Sequence, residues 1–168
     1  MVPRNSGGGS YGIFLKLKNS SFGIGQVSAV ESLTNRTALH YAVELGNTQI
    51  VEDLLNANIN YNQIDKNKKT AFMLALETEK TEVLQSFFKG NNFDVNKRDD
   101  SIGMPPLLWA IQKRLSVNTI EEILMTGKSS LAVSDRKGND IDSYISDFGT
   151  RDIEKLLSIL RQKRTTYL

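Results

Sequence analysis

The chain contains one histidine, His40, and histidine is the side chain most often used as a general base or metal ligand near neutral pH. A metal site would need further ligands at convergent spacing, and the sequence has no second histidine and no cysteine. The serines are scattered, and none forms a recognisable nucleophile and base arrangement with His40. The sequence therefore predicts a protein that is not an enzyme, with no catalytic residue, no metal and no cofactor.

Two glycine-containing stretches are candidates for phosphate-binding loops. Gly23-Ile24-Gly25 lacks the third glycine of a dinucleotide-binding loop. Gly127-Lys128-Ser129 lacks the upstream glycine of a P-loop and follows a helical stretch instead of a strand. Neither stretch predicts a nucleotide site.

The apolar residues fall into short periodic stretches of about 8 to 12 residues, separated by loops rich in Gly, Asn, Asp and Lys. This pattern predicts pairs of short helices joined by turns. Such pairs bury their apolar faces only against neighbouring pairs, which favours a solenoid over a globule with one central core.

One of these stretches reads Thr37-Ala38-Leu39-His40-Tyr41-Ala42-Val43-Glu44-Leu45-Gly46-Asn47 and is followed by the pairs Ile50-Val51 and Leu54-Leu55. It resembles an ankyrin repeat, with Ala38 where that pattern has proline. The pattern restarts 33 residues later at Thr70, again near Pro105, and in a degenerate form near Asp140. The resemblance implies an all-α solenoid of about four stacked helix-turn-helix repeats joined by β-hairpin-like loops. The repeats lie near residues 32–64, 65–99, 100–134 and 135–168, and the polar fourth one is interpreted as a terminal cap.

Several residues are predicted to shape the repeats. The hydroxyls of Thr37 and Thr70 can cap the first helices, and Pro106 suits a first turn because it gives up no needed donor. Gly46 and Gly149 fall at turns between helices, where positive φ is required. The resemblance gives His40 a structural hydrogen bond to the nearby threonine and backbone. The corresponding turns of repeats two and three carry Glu79 and Arg114, so regular geometry is not expected there. The second helices are predicted at residues 48–56, 81–89, 119–125 and 151–161.

The first 31 residues do not fit a repeat. Residues 1–10 resemble a tag or linker remnant, because Val-Pro-Arg is similar to a protease site and Gly-Gly-Gly-Ser to a flexible linker. Residues 11–31 are open to two interpretations. They form either an irregular N-terminal cap over the first repeat or a docking segment beside a groove.

The resemblance places the binding surface on the concave side, which consists of hairpin tips and first helices. Its predicted partner-binding residues are Leu33, Arg36, Glu44, Leu45, Lys66, Asn67, Lys69, Glu77, Ile102, Met104, Lys113, Arg136, Lys137, Asp147 and Phe148. Basic hairpin tips surround a shelf of carboxylates and exposed apolar side chains. Such a surface suits a protein or peptide with an acidic border and an apolar anchor.

The implied function is a non-catalytic protein–protein interaction module, which would serve as an adaptor, a scaffold or a regulatory inhibitor. One alternative is a regulatory or targeting fragment of a larger protein whose activity lies elsewhere. Another is a basic surface that binds nucleic acid, although the net charge is only +2 and the interleaved carboxylates would repel phosphates. The basic tips also have a plain interpretation as solvated surface residues.

The expected location is intracellular, in the cytoplasm or nucleus, including the interior of a host cell if the source is a pathogen. No apolar stretch approaches the roughly 18 residues of a membrane span, and no signal-peptide pattern is present. The absence of cysteine gives no argument for secretion.

Overall fold

The computed structural model describes residues 30–90, 93–98, 103–126, 129–148 and 151–165. The chain divides into two compact units, an N-terminal unit, Met1–Asp94, and a C-terminal unit, Val95–Leu168. The proposed tag remnant and residues 11–29 lie outside the described residues, and Val30 and Glu31 are inside them.

The described residues form eight α-helices, arranged as pairs. The N-terminal unit contains α1 (Ala38–Leu45), α2 (Thr48–Asn56), α3 (Ala71–Thr78) and α4 (Thr81–Lys89), and the C-terminal unit contains α5 (Pro106–Gln112), α6 (Val117–Met125), α7 (Ile141–Phe148) and α8 (Arg151–Thr165). In the first unit α1 packs on α2 and α3, and α4 packs on α2 and α3. In the second unit α5 packs on α6 and α7, and α6 packs on α8. The predicted all-α repeat fold is confirmed, and none of these helices is long and apolar enough to cross a bilayer.

The first helices begin where the sequence predicts. Thr37 precedes α1, and its backbone N–H donates to Nδ1 of His40 at 3.2 Å. Thr70 precedes α3, and its hydroxyl oxygen accepts from the N–H of Met73 at 3.2 Å. Pro106 is the first residue of α5, where a missing N–H costs no hydrogen bond.

The second helices match their predicted bounds at α2 and α4 and exceed them in the C-terminal unit. Helix α6 begins at Val117 instead of Thr119, because Ser116 supplies the capping oxygen and accepts from the N–H of Thr119 at 3.3 Å. Helix α8 continues to Thr165.

The three described turns between paired helices each contain a residue with positive φ, although the residues differ. Gly46 has φ of 72°, Glu79 of 49° and Arg114 of 55°, all in the left-handed region. The expectation that Glu79 and Arg114 disturb the regular turn geometry is therefore wrong. The two non-glycine residues accept a backbone strain that glycine avoids.

The hairpin-like loops between repeats are closed by single bridges. Ile64 pairs with Thr70 and Ser134 pairs with Asp140, both antiparallel. Inside each loop a buried carboxylate accepts backbone N–H bonds, from Asn67 and Lys69 to Asp65 in the first loop. Each loop is thus held by its own side chain.

Aromatic packing closes the core of the N-terminal unit. Phe72 and Phe87 are almost fully buried, and their ring centroids lie 5.0 Å apart. The ring centroid of Phe93 lies 4.6 Å from that of Phe72 and 5.2 Å from that of Tyr61. Burying side chains of this size contributes about 1.5 to 3 kcal/mol each to folding.

Candidate protein-interaction face

His40 is a structural residue, as predicted from its sequence context. Its side chain is buried, its Nδ1 faces the N–H and hydroxyl of Thr37, and its Nε2 lies 3.1 Å from the carbonyl of Lys69. Because a carbonyl only accepts, Nε2 carries the ring proton and Nδ1 accepts from the Thr37 N–H. Burial lowers the pKa of His40, which keeps the ring neutral. Among the described residues no group of three potential ligands is placed to hold a metal ion.

The carboxylate of Asp135 organises the loop before α7. It accepts from the N–H groups of Lys137 at 2.8 Å and Asn139 at 2.9 Å, and from the hydroxyl of Tyr144 at 2.8 Å. Burial alone would raise the pKa of Asp135, but the hydrogen bonds from Tyr144, Asn139 and Lys137 outweigh it and lower the pKa to about 2. The loop therefore presents its basic side chains on a fixed backbone.

Four predicted contact residues of the N-terminal unit are paired with one another. Arg36 forms an ion pair with Glu44 at 3.0 Å, and one repeat later Lys69 forms the same pair with Glu77 at 2.5 Å. Each pair joins the residue before a helix cap to the last turn of that helix. The carboxylates of Glu44 and Glu77 are thus neutralised by Arg36 and Lys69 within the same unit.

Arg36 also fastens two repeats together. Its Nε lies 3.5 Å from the carboxylate of Asp65, and its guanidinium lies 5.8 Å from the ring centroid of Tyr41. Its side chain is mostly buried by these contacts. Arg36 therefore stabilises the packing beneath the predicted contact surface.

Other predicted residues of the N-terminal unit are open to solvent. Leu33 is 66% exposed and Leu45 is 57% exposed. Lys66 and Asn67 are exposed on the hairpin tip. The N–H of Lys66 donates to the carbonyl of Thr34 at 2.9 Å, so this tip is tied to the segment that carries Leu33.

The prediction that Met104 is an exposed anchor is wrong, because the residue is only 4% exposed. Met104 occupies the position that Arg36 and Lys69 hold in the earlier repeats. Those cations keep their charged ends at a carboxylate, whereas a flexible thioether gains by folding into the core. Gln112 stands where the earlier repeats have the partner carboxylate, so the counterpart of that ion pair is absent as well.

The predicted basic residues of the C-terminal unit lie at its surface. Lys113 is exposed, and its Nζ lies 5.9 Å from the ring centroid of the buried Trp109. Arg136 and Lys137 are exposed on the loop before α7. The stem of Arg136 crosses Gly103, where an added Cβ would lie 2.5 Å from Cδ of the arginine. Gly103 thus has a steric function that its sequence context does not reveal.

For four predicted residues the structure gives no side-chain surroundings. Ile102 and Gly149 lie outside the described residues, and Asp147 and Phe148 belong to the end of α7 without a description of their side chains. Their assigned functions stay predictions.

Sequence reasoning missed a cap and a small network. Lys80 donates from Nζ to the backbone carbonyl of Glu44 at 2.8 Å. Tyr41 and Thr34 both donate to the carboxylate of Glu31, and the hydrogen bonds from Thr34 and Tyr41 lower the pKa of Glu31. Lys80 stands one period after Asn47, the residue that caps α2, but only the packing of two repeats shows what its ammonium reaches.

Comparison with known proteins gives one result. A family model described as ankyrin repeats in three copies matches residues 39–135, which is more than half of the 168 residues. A search of the curated proteins finds no match.

Proposed function

The chain belongs to the ankyrin-repeat family, and we propose that it is a non-catalytic adaptor, scaffold or regulatory inhibitor that binds a partner protein or peptide. Members of this family are generally protein–protein interaction modules. The proposed contact surface consists of the hairpin tips and the exposed sides of the first helices. The proposed location is the cytoplasm or nucleus.

The observation that carries this proposal is the exposure of Leu33 and Leu45 on the N-terminal unit. Leu33 lies in a turn three residues before Arg36, and Leu45 is the last residue of α1, directly after Glu44. Apolar side chains beside neutralised charges give up little hydration when a partner covers them. They are suited to anchor an apolar part of the partner, as residues at the centre of interfaces do.

A second support is the fixed backbone of the hairpin tips. The carboxylate of Asp65 and the bridge from Ile64 to Thr70 hold one tip, and Asp135 holds another. A surface that is ordered before binding loses little conformational entropy on association. We propose that the partner combines an apolar anchor with acidic residues, because the exposed tips are basic.

The experiment is an affinity capture with the full chain and two variants of the same length. The face variant carries Leu33→Ser, Leu45→Ser, Lys66→Ser, Lys113→Ser and Lys137→Ser. The control variant carries Gln49→Ser, Asn56→Ser and Gln85→Ser, three exposed positions on second helices. All three proteins must first show the same helical circular dichroism and the same denaturation midpoint.

A direct partner must then be confirmed with purified proteins by titration calorimetry. Binding that is retained by the control variant and lost by the face variant supports the proposal. Equal binding by both variants, or loss in the control variant alone, contradicts it. Recovery of nucleic acid in place of a protein would move the assignment to the polyanion class.

A further inference from the structure

Lys68 has a strained backbone that no side-chain bond within the protein explains. Among the described residues, the non-glycine residues with a positive φ are Asn35, Asn58, Lys68, Glu79 and Arg114. Asparagine tolerates this conformation, and Asn35 also donates from Nδ2 to the carbonyl of Ile64 at 3.1 Å. Glu79 and Arg114 take part in further interactions within the protein. The ammonium of Lys68 has no hydrogen bond or ion pair with any described residue, although its φ is 61°.

The position of Lys68 recurs in the other repeats with residues that suit it better. Asn35 stands about one repeat before Lys68, and Gly103 and Gly138 follow at similar intervals, all with a positive φ. Glycine and asparagine adopt this conformation at the least cost. Lys68 therefore lowers the stability of its hairpin without a bond that offsets the loss. Backbone strain of this kind is typical of positions that serve binding.

Lys66 and Lys68 place two unpaired ammonium groups on one hairpin of the N-terminal unit. Both side chains are exposed, and neither forms a hydrogen bond or ion pair among the described residues. The neighbouring Lys69 is paired with Glu77, and the carboxylate of Asp65 is buried and accepts backbone N–H bonds. The undescribed residues of this unit, 1–29, 91 and 92, include no Asp or Glu. No undescribed carboxylate of the unit can therefore neutralise the two lysines.

An exposed apolar side chain lies beside this hairpin. The N–H of Lys66 donates to the carbonyl of Thr34 at 2.9 Å, and Leu33, which directly precedes Thr34, is 66% exposed. A single backbone hydrogen bond thus joins the segment that carries the cations to the segment that carries the leucine. An extended peptide advances about 3.3 Å per residue, so an acidic and an apolar residue a few positions apart can contact both.

We propose that Lys68 is a specificity-determining residue, which together with Lys66 binds a carboxylate of the partner protein beside the apolar group that covers Leu33. This inference rests on the proposed function and adds which hairpin selects the partner and by which chemical group. The backbone of Lys68 lowers stability, and its ammonium raises affinity. Stability and affinity therefore respond in opposite directions when residue 68 is changed to glycine.

Three substitutions in the full chain separate the charge of residue 68 from its backbone. Lys68→Gly removes the ammonium and the strain, Lys68→Ala removes the ammonium alone, and Lys68→Arg retains both. Thermal unfolding followed by circular dichroism measures stability. We expect the glycine variant to unfold about 2 °C above the unchanged protein, and the alanine and arginine variants to stay within about 1 °C of it.

Affinity is measured with a peptide that the protein itself selects. A random peptide library displayed on phage is enriched on the unchanged full chain, and the most enriched peptide is synthesised with a fluorescent label. We expect it to carry Asp or Glu near an apolar residue. A second labelled peptide has Asn for each Asp and Gln for each Glu. Fluorescence anisotropy measures both peptides at physiological salt.

The selected peptide should bind Lys68→Ala and Lys68→Gly at least about threefold more weakly than the unchanged protein, because an attractive charge is lost. It should bind Lys68→Arg with unchanged affinity, and Leu33→Ser should weaken it as well. The amide peptide should bind the unchanged protein more weakly than the selected peptide, and it should not distinguish the three variants at residue 68.

Four results would overturn the inference. The first is the enrichment of no peptide, or of peptides without Asp and Glu. The second is equal affinity of Lys68→Ala and Lys68→Arg for the selected peptide. The third is a glycine variant that is no more stable than the alanine variant. The fourth is tighter binding of a labelled single-stranded oligothymidylate, which would assign the lysines to nucleic acid. Each leaves the proposed function standing if the face variant still loses its captured protein, so the two failures are distinguishable.

Discussion

The ammonium of Lys80 donates a hydrogen bond to the backbone carbonyl of Glu44 at 2.8 Å, across 36 residues of sequence. Glu44 lies in the last turn of α1, where helical carbonyls have no partner inside the helix. A cation at this end also meets the negative pole of the helix dipole. The turn before α4 therefore caps the first helix of the preceding repeat.

Replacing Lys80 by Met tests this cap. The substitution keeps an apolar stem beside Gly46 and removes the donor, so we expect a loss of about 1 kcal/mol in the free energy of unfolding. Urea denaturation followed by circular dichroism measures it. Lys66→Met, on an exposed tip, is the control and should change the free energy by less than about 0.5 kcal/mol. Equal effects of the two substitutions would refute the capping function of Lys80.

Gly46→Ala should destabilise the protein by about 1 to 2 kcal/mol, because residue 46 has φ of 72° and the left-handed conformation is strained for an L-residue. The new Cβ would also lie 3.4 Å from Nζ of Lys80. Gly46→Asn adds a Cβ as well but tolerates positive φ, so it should cost less. A larger loss for Asn than for Ala, measured by thermal unfolding, would show that contact with Lys80 governs the position.

Asp135→Asn should destabilise the protein near neutral pH. The folded state holds the pKa of Asp135 at about 2, below its ordinary 3.8. The ionised carboxylate therefore contributes stability above about pH 4, and this contribution fades as the pH falls toward 2. The gap in urea midpoint between the protein and its Asp135→Asn variant should narrow over that range. A gap that is constant with pH would contradict an ionic contribution from Asp135.

The protein should lose stability as the pH falls below about 6.5, through titration of His40. Burial lowers the pKa of this residue in the folded state, so the unfolded state binds the proton first and is favoured by acid. His40→Gln should be less stable at neutral pH and should lack the fall in this range. Because the chain has one histidine, an unchanged pH dependence in the variant would assign the effect elsewhere.

Much of the fold could be predicted from the sequence because its signals are local. Thr70 and Pro106 mark helix starts by their own chemistry, and the bounds of α2 follow from the spacing of its apolar residues. The exposure of Leu45 was implied by the resemblance to the ankyrin repeat, and the side chain is exposed in the structure. The predicted end of α6 is also correct, whereas its predicted start is two residues late.

The contact surface was harder to predict, because whether a charged side chain is available to a partner depends on its neighbours in space. Arg36 was expected to meet a partner, yet Glu44 and Asp65 already engage it. Met104 was expected to be exposed because of its position in the repeat. It is buried instead, because its side chain is apolar. The contact between Lys80 and Glu44 depends on how two repeats pack, which no local pattern contains.

The hairpin from Asp65 to Thr70 holds three lysines within four positions, a dense run of trypsin recognition sites on the surface of the N-terminal unit. Its backbone is nevertheless held by hydrogen bonds. The N–H of Lys66 donates to the carbonyl of Thr34, and the N–H of Lys69 donates to the carboxylate of Asp65. A protease must take up its substrate as a free extended strand, so this hairpin has to open locally before it can be cut. A run with many cleavable bonds is thereby slow to be cut, and digestion should begin at sparser sites.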